Sequence, residues 1–434
     1  MACAIDLFCG AGGCSEGLIQ AGFHILFSSD ISSMAGFTYC NRHKQLGLVQ
    51  GVNTWFELAD VKELNGELIK KRIEALEQVQ KMPDIDLVIG GPSCQGFSRA
   101  GRRDKADARN MLFGEYVRVV SEVRPKYVVF ENVEGFTDMQ FMGYVGIAGR
   151  QYPNDAVASD ILSLEMNEIG YYVLPPKVLN AADYGVPQRR KRFILIGYRE
   201  DVTAPKYPSP SHEAYLTLRD AIGDLIQDEE VRMRVNPNLT QYQQDSINGR
   251  TPDINGNPIR ADSKTNTELS KLTEIVTERF SLFREGETGA ELRKRIVRDG
   301  IDISQTPALV RMCADKFCMD EQAVINMFLS GVATHEQVDT LLTKKNIRRR
   351  LSASQPSPTV VTIADDYISA WEARTFSVRE LARCQSFDDS FEFLGKRTTG
   401  GLKRCVEVPQ YTQVGNAVPP LLAKAIVSEI MKVL

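Results

Sequence analysis

The chain has 434 residues, 43% hydrophobic and 25% charged, the balance of a globular protein with two domains or one large one. No apolar run reaches the ~18–20 residues of a membrane span, and the opening Met1-Ala2-Cys3-Ala4-Ile5-Asp6 lacks the basic flank and apolar core of a signal peptide, so a cytoplasmic location is expected. A net charge of −4 excludes a uniformly basic coat, yet basic clusters at 99–109, 189–192, 344–350 and 396–404 could grip a polyanion along one face. Nine cysteines (3, 9, 14, 40, 94, 313, 318, 384 and 405) include no CxxC pair and make an odd total. A disulfide scaffold and a metal site are therefore not expected.

In chain order, 3–8 reads as a short apolar strand running into Gly10-Ala11-Gly12-Gly13, followed by a helix that stops at Gly22. Strand, glycine turn and helix form a nucleotide-binding opening, because glycine lets the backbone approach a ligand closely. Position 15 is Ser, so the dinucleotide pattern GxGxxG fails and a nicotinamide enzyme is disfavoured. A second strand over 23–29 ends at Asp30, placed to bind ribose hydroxyls. Asp60 ends a third strand, placed to take an adenine amino group; either aspartate alone is more often a cap or turn residue, and it is the pair after a glycine turn that points to a ligand.

The next strand, 85–89, enters Gly90-Gly91-Pro92-Ser93-Cys94. A cysteine at the carboxyl end of a parallel strand, ahead of a polar and basic loop, is a candidate nucleophile under a mobile lid. The alternative is a buried structural thiol. A helix over 111–123 and a strand over 127–130 lead to Glu131 at the same sheet edge as Cys94; its alternative is an exposed strand-end carboxylate. Residues 137–155, rich in Gly, Met and Tyr, carry no readable role. A helix (156–169) and a strand (171–179) precede Gln188-Arg189-Arg190-Lys191-Arg192, in which Gln188, Arg190 and Arg192 alternate onto one face of a strand.

Near 201 the texture changes to proline-rich and polar sequence, then to amphipathic pieces over 268–342. Two short helices, 320–329 and 334–342, the second with a capping box at Thr334 and Gln337, leave a helix-turn-helix conceivable but weakly supported. The α/β pattern returns near 350 and closes with a helix over 377–384 and a last helix to 433.

Together these residues resemble the C5-cytosine DNA methyltransferase family, of the bacterial or phage modification type. The similarity lies in Asp6-Leu7-Phe8-Cys9-Gly10-Ala11-Gly12-Gly13, Gly91-Pro92-Ser93-Cys94-Gln95, Glu131-Asn132-Val133, Gln188-x-Arg190-x-Arg192, the run from Arg379 to Phe387, and the run from Gln413 to Pro419. These six motifs stand in the family's order and span about 1–200 and 350–434. Ser93 replaces a commoner proline, and Asp30 stands where glutamate is usual.

The resemblance implies an α/β fold, a Rossmann-like, mostly parallel sheet with a smaller target-recognition domain. The catalytic domain is expected in two segments, 1–200 and 346–434, with recognition in 201–345. It implies transfer of a methyl group from S-adenosyl-L-methionine, leaving S-adenosyl-L-homocysteine, to C5 of a flipped-out cytosine in a specific duplex DNA sequence. Cys94 would add to C6, Glu131 would act at N3, and Arg190 and Arg192 would hold O2, the cysteine loop and a phosphate. Phe8, Gly10, Gly12, Gly13, Asp30, Ile31, Asp60, Val61, Pro92, Asn416 and Val418 would hold the cofactor. Gln95, Ser98, Arg99, Arg102, Arg109 and Gln188 would contact DNA. A monomer, association with the nucleoid and a cognate restriction endonuclease are the further expectations. A tRNA cytosine methylase of the same fold would carry Cys-Phe-Thr after the arginine motif, and none is present. A catalytically dead binding subunit would tend to lose the cysteine or the acid, and both are retained.

Overall fold

The computed structural model describes residues 1–92, 111–211, 214–400, 403 and 406–434. Its first body alternates strands and helices: β1 (Cys3–Leu7), α1 (Gly13–Gln20), β2 (His24–Asp30), α2 (Ser33–Gln45), β3 (Trp55–Leu58), α3 (Gly66–Glu74), β4 (Leu87–Gly90), α4 (Leu112–Val123), β5 (Tyr127–Val133), α5 (Ala158–Glu168), β6 (Tyr171–Val173), β7 (Lys177–Asn180) and β8 (Lys191–Arg199). The sheet order is β3-β2-β1-β4-β5-β8-β6, with β7 also on β8. The first five are parallel, and β8 is antiparallel to its neighbours.

The central strands are unbroken apolar runs because both faces of this sheet are covered. One face packs under α3, α4 and α5 through Val117, Val120, Ile69 and Ile161. On the other face Leu18 of α1 meets Leu422 and Ile426 of the C-terminal helix. Register sets the working edge: Leu7 lies beside Ser29 and Gly90, and Gly90 beside Phe130. The carboxyl ends of β1, β2, β4 and β5 thus share one rim, and antiparallel β8 begins at that rim with Arg192 opposite Val133.

The strand expected over 171–179 is two strands, because Pro175 and Pro176 cannot donate to a ladder and the chain breaks there. The strand expected over 127–130 continues to Val133, so Glu131 lies inside it rather than after it.

After β8 the chain is helical: α6 (Leu218–Ile222), α7 (Glu229–Val235), α8 (Gln241–Asn248), α9 (Glu274–Ser281), α10 (Gly289–Asp299), α11 (Pro307–Phe317), α12 (Glu321–Leu329) and α13 (His335–Leu342). The two-residue strands β9 (Arg349–Arg350) and β10 (Tyr367–Ile368) pair, and α14 (Val378–Cys384), α15 (Gln410–Asn416) and α16 (Pro420–Met431) finish the chain. The Thr334–Gln337 capping box is present at α13.

Two cores organise this half. Residues between 280 and 342 form one, closed by Ile368. The other mixes Leu218, Ile222, Leu225 and Tyr242 with Leu351, Phe387, Phe391 and Val414. Hydrophobic packing therefore crosses the expected boundaries at 201 and 346. Arg383, wholly buried, ties the same segments by pairing with Asp224 and Asp389 at 2.6 and 2.7 Å. Among the described residues no helix is long and apolar enough to cross a membrane.

Candidate active site

The rim holds two adjoining features, an acid–arginine pair and an open glycine turn. Glu131 projects from β5 and is buried; its Oε1 lies 2.8 Å from Nε of Arg192 at the start of β8. Burial pushes the Glu131 carboxyl above its ordinary value, against the opposing pull of Arg192 and then Arg190. The result is a carboxyl that is held in one orientation by a cation.

Its neighbours leave little freedom. A Cβ on Gly91 would lie 2.7 Å from Glu131 Oε2, so a side chain there would push the acid aside. Asn132 donates its amide to the Pro92 carbonyl at 3.1 Å, binding the strand of the acid to the turn that precedes position 93. Arg192 donates Nη1 to the Lys191 carbonyl at 2.8 Å. Arg190 is buried and donates to the carbonyls of Gly415 (2.9 Å) and Val360 (3.3 Å), fastening the residue before β8 to the C-terminal segments.

Glu131, Arg190 and Arg192 are thus brought together as expected, with Pro92 at their edge. Cys94, Gln95, Ser98, Arg99, Arg102 and Arg109 lie outside the described residues. Gln188 is a correction. It was expected at the DNA surface but is fully buried, donating to the Cys384 carbonyl and Gln385 Oε1 and accepting from the Val360 N–H. Alternation places it inward with the two arginines, and inward here means the joint between the halves of the chain.

The glycine turn fits a bound ligand. Gly10 has φ +54°, and a Cβ there would meet no atom within 4 Å. Gly12, at φ +107°, starts α1, and a Cβ on Gly13 would collide with the Val418 carbonyl at 2.2 Å. Phe8 holds φ +57°, a costly conformation for a bulky residue and one that concentrates at working sites. Asp30 accepts from the Gly10 N–H (2.9 Å) and the Ser32 N–H (2.8 Å), so it shapes the turn while keeping lone pairs for a ligand. Beside it Ile31 is 70% exposed, an apolar side chain standing in the open. Asp60 caps a short 3-10 turn by accepting from the Lys62 N–H, with Val61 buried behind it. Asn416 is exposed at the end of α15, and Val418 is buried two residues on. An open cradle, an apolar wall and carboxylates at two strand ends suit a nucleoside with a charged tail.

Three supporting residues escaped the sequence reading. Asn132 stood in a recognised motif, but its hold on Pro92 needed the fold. Gly91 looked like turn chemistry rather than room for an acid. Thr251 donates to Glu16 on α1 at 2.5 Å across 235 positions, and nothing local signals that contact.

The comparisons agree with this geometry. A family model described as C-5 cytosine-specific DNA methylase matches residues 3–432. The type II methyltransferase M.DdeI of Desulfomicrobium norvegicum is 30% identical over 98% of this chain and 88% of its own length. The type II methyltransferase M.AgeI of Thalassovita gelatinovora is 31% identical over 98% of both chains. In fold, the chain is similar to a crystal structure assigned to a DNA modification methyltransferase of an E. coli prophage. That match has a TM-score of 0.64 and 22% identity, covering 100% of this chain and 99% of the other. With the acid, the paired arginines and the glycine cradle on one rim, and with a family match over nearly its whole length, the chain belongs to the C-5 cytosine-specific DNA methylases.

Proposed function

We propose that this enzyme methylates C5 of cytosine in a specific duplex DNA sequence through a covalent adduct between Cys94 and C6. The observation that carries the proposal is Glu131, buried, its carboxyl pushed upward by that burial, and clamped by Arg192 at the sheet rim beside Pro92. Cytosine C5 is a weak nucleophile, and addition of a thiolate at C6 turns it into an enamine-like carbon. The negative charge that addition places on the ring needs a donor at N3, which Glu131 supplies, and cationic stabilisation, which the Arg190–Arg192 pair supplies. Loss of the C5 proton and expulsion of the Cys94 thiolate complete the reaction. None of these atoms is reachable in a stacked duplex, so the base must be flipped out.

S-adenosyl-L-methionine, when bound, supplies the electrophilic methyl group. Phe8, Gly10, Gly12, Gly13, Asp30, Ile31, Asp60, Val61, Pro92, Asn416 and Val418 are the residues assigned to hold it. Within 201–345, the helical core of 280–342 is assigned to DNA recognition, seated on the shared core of 218–242 and 351–414. Arg99, Arg102 and Arg109, with Gln95 and Ser98, are assigned to the DNA beside the flipped base. The reading includes a monomer acting on nucleoid DNA, and the relatives' type II names support a restriction-modification setting with a cognate restriction endonuclease.

Duplex DNA bearing 5-fluorocytosine at the target tests the proposal, because fluorine cannot leave as a cation and the adduct stalls. A denaturation-stable complex is expected with the wild type and none with Cys94→Ser. An equal yield of complex from Cys94→Ser would refute the assignment.

A further inference from the structure

Among the described residues most buried carboxylates are paired with cations; Glu165, which accepts from the Tyr152 hydroxyl and the Ile147 N–H, and Asp6 are not. Glu16, Glu131, Asp224, Glu380, Asp388 and Asp389 each have an arginine at 2.6–2.9 Å. Asp6, at the carboxyl end of β1 directly before the cofactor turn, has none among the described residues. Its Oδ2 accepts from the Ser15 hydroxyl on α1 at 2.6 Å, and Ser15 in turn meets the Tyr39 hydroxyl of α2 at 3.0 Å. Among the described residues the charged group facing it is a second carboxylate, Asp30 on β2, itself bonded to backbone N–H groups. The remaining titratable neighbours, Cys9, Cys14 and Tyr39, are all pushed toward their neutral forms by burial. An unpaired buried carboxylate is costly, and a structural role would be met as well by asparagine.

We propose that Asp6, with Asp30 beside it, is a charge-selecting positioning residue of the cofactor site, a buried anion whose missing counter-charge is the sulfonium of S-adenosylmethionine. This rests on the cofactor reading given under Proposed function. The enzyme would then hold the cationic substrate in preference to the neutral thioether product, S-adenosylhomocysteine. Burial, with Asp30 adding to it and Ser15 opposing, pushes the Asp6 carboxyl up to about 7. Near neutral pH the empty site therefore keeps a share of protonated Asp6, and arrival of the cation expels that proton into the buffer.

Calorimetric titration of the full chain, without DNA, tests this in two buffers of different ionisation enthalpy between pH 6 and 8. S-adenosylmethionine should release a fraction of a proton near pH 7 and bind up to about tenfold more tightly at pH 8 than at pH 6. S-adenosylhomocysteine should release less. In Asp6→Asn the difference in proton release should vanish and the substrate-to-product affinity ratio should fall several-fold. Ser15→Ala, which removes the hydroxyl favouring the ionised form, should move the transition to higher pH, and it decides the matter if Asp6→Asn does not fold. Equal proton release by the two ligands in the wild type, an unchanged ratio in Asp6→Asn, or an unshifted transition in Ser15→Ala would overturn the proposal. Failure of both ligands to bind the wild type would instead overturn the cofactor reading beneath it.

Discussion

Two alanine substitutions three residues apart should separate the fold from the cofactor site. Gly13→Ala places a Cβ 2.2 Å from the Val418 carbonyl, with Ala417 Cβ and the Val418 nitrogen both at 3.2 Å. Two of those atoms are backbone and none belongs to a flexible side-chain end, so α1 must shift against the segment leading into α16. Overpacking of this kind costs about 1–3 kcal/mol, and the rigid neighbours point to the upper end. Gly10→Ala meets nothing within 4 Å. Its cost in the fold is the left-handed backbone at φ +54°, about 1 kcal/mol for an L-residue. The new methyl instead enters the space assigned to the cofactor and should weaken S-adenosylmethionine by at least about tenfold, or about 1.4 kcal/mol. Urea midpoints report the first quantity and calorimetric titration the second. Gly13→Ala should lose mainly stability, and Gly10→Ala mainly affinity. A Gly10→Ala protein that binds cofactor as tightly as the wild type would refute the reasoning, because the open side of the turn would then not be the ligand's.

The Gln188 amide bridges Cys384, Gln385 and the Val360 N–H in the interior, so Gln188→Ala should cost about 2–3 kcal/mol in urea denaturation by stranding buried partners while leaving the methylated sequence unchanged. His43 is held down to about 3 by burial and then by repulsion from Arg42 and His24, so its contribution to stability is full above pH 6.5 and is lost as pH falls below that, at about 1.4 kcal/mol per pH unit. Asp6 pulls the other way between its ordinary 3.8 and about 7, so the test is the difference between wild type and His43→Phe in urea midpoints from pH 7 to 5; a constant difference would show that His43 is not buried in its neutral form.

The chemistry was legible in the sequence where it depends on neighbours along the chain. An apolar run followed by glycines, or by a lone carboxylate, marks a strand and the rim where it ends, and the order β1, β2, β4, β5 follows from such runs. What resisted reading depends on distant segments. Gln188 sits in a basic cluster, and composition alone makes such a cluster look solvated; only contact with 360 and 384–385 turns it inward. The joint core of Leu218, Tyr242 and Phe387 is equally silent, because each segment's apolar pattern says that it is buried and not against what. Thr251 reaching Glu16 belongs to the same class. Pro175-Pro176, by contrast, was a local signal of a broken strand that the apolar pattern around it obscured.

The central claim is that this chain writes 5-methylcytosine at one DNA sequence. Expression in a bacterium lacking cytosine methylation, followed by bisulfite sequencing of its genome, tests it directly. The account predicts methylated cytosines confined to a single short sequence context, present with the wild type and absent with Cys94→Ser and with Glu131→Ala. A genome left unmethylated by well-folded wild-type protein, or a mark that survives Cys94→Ser, would contradict it.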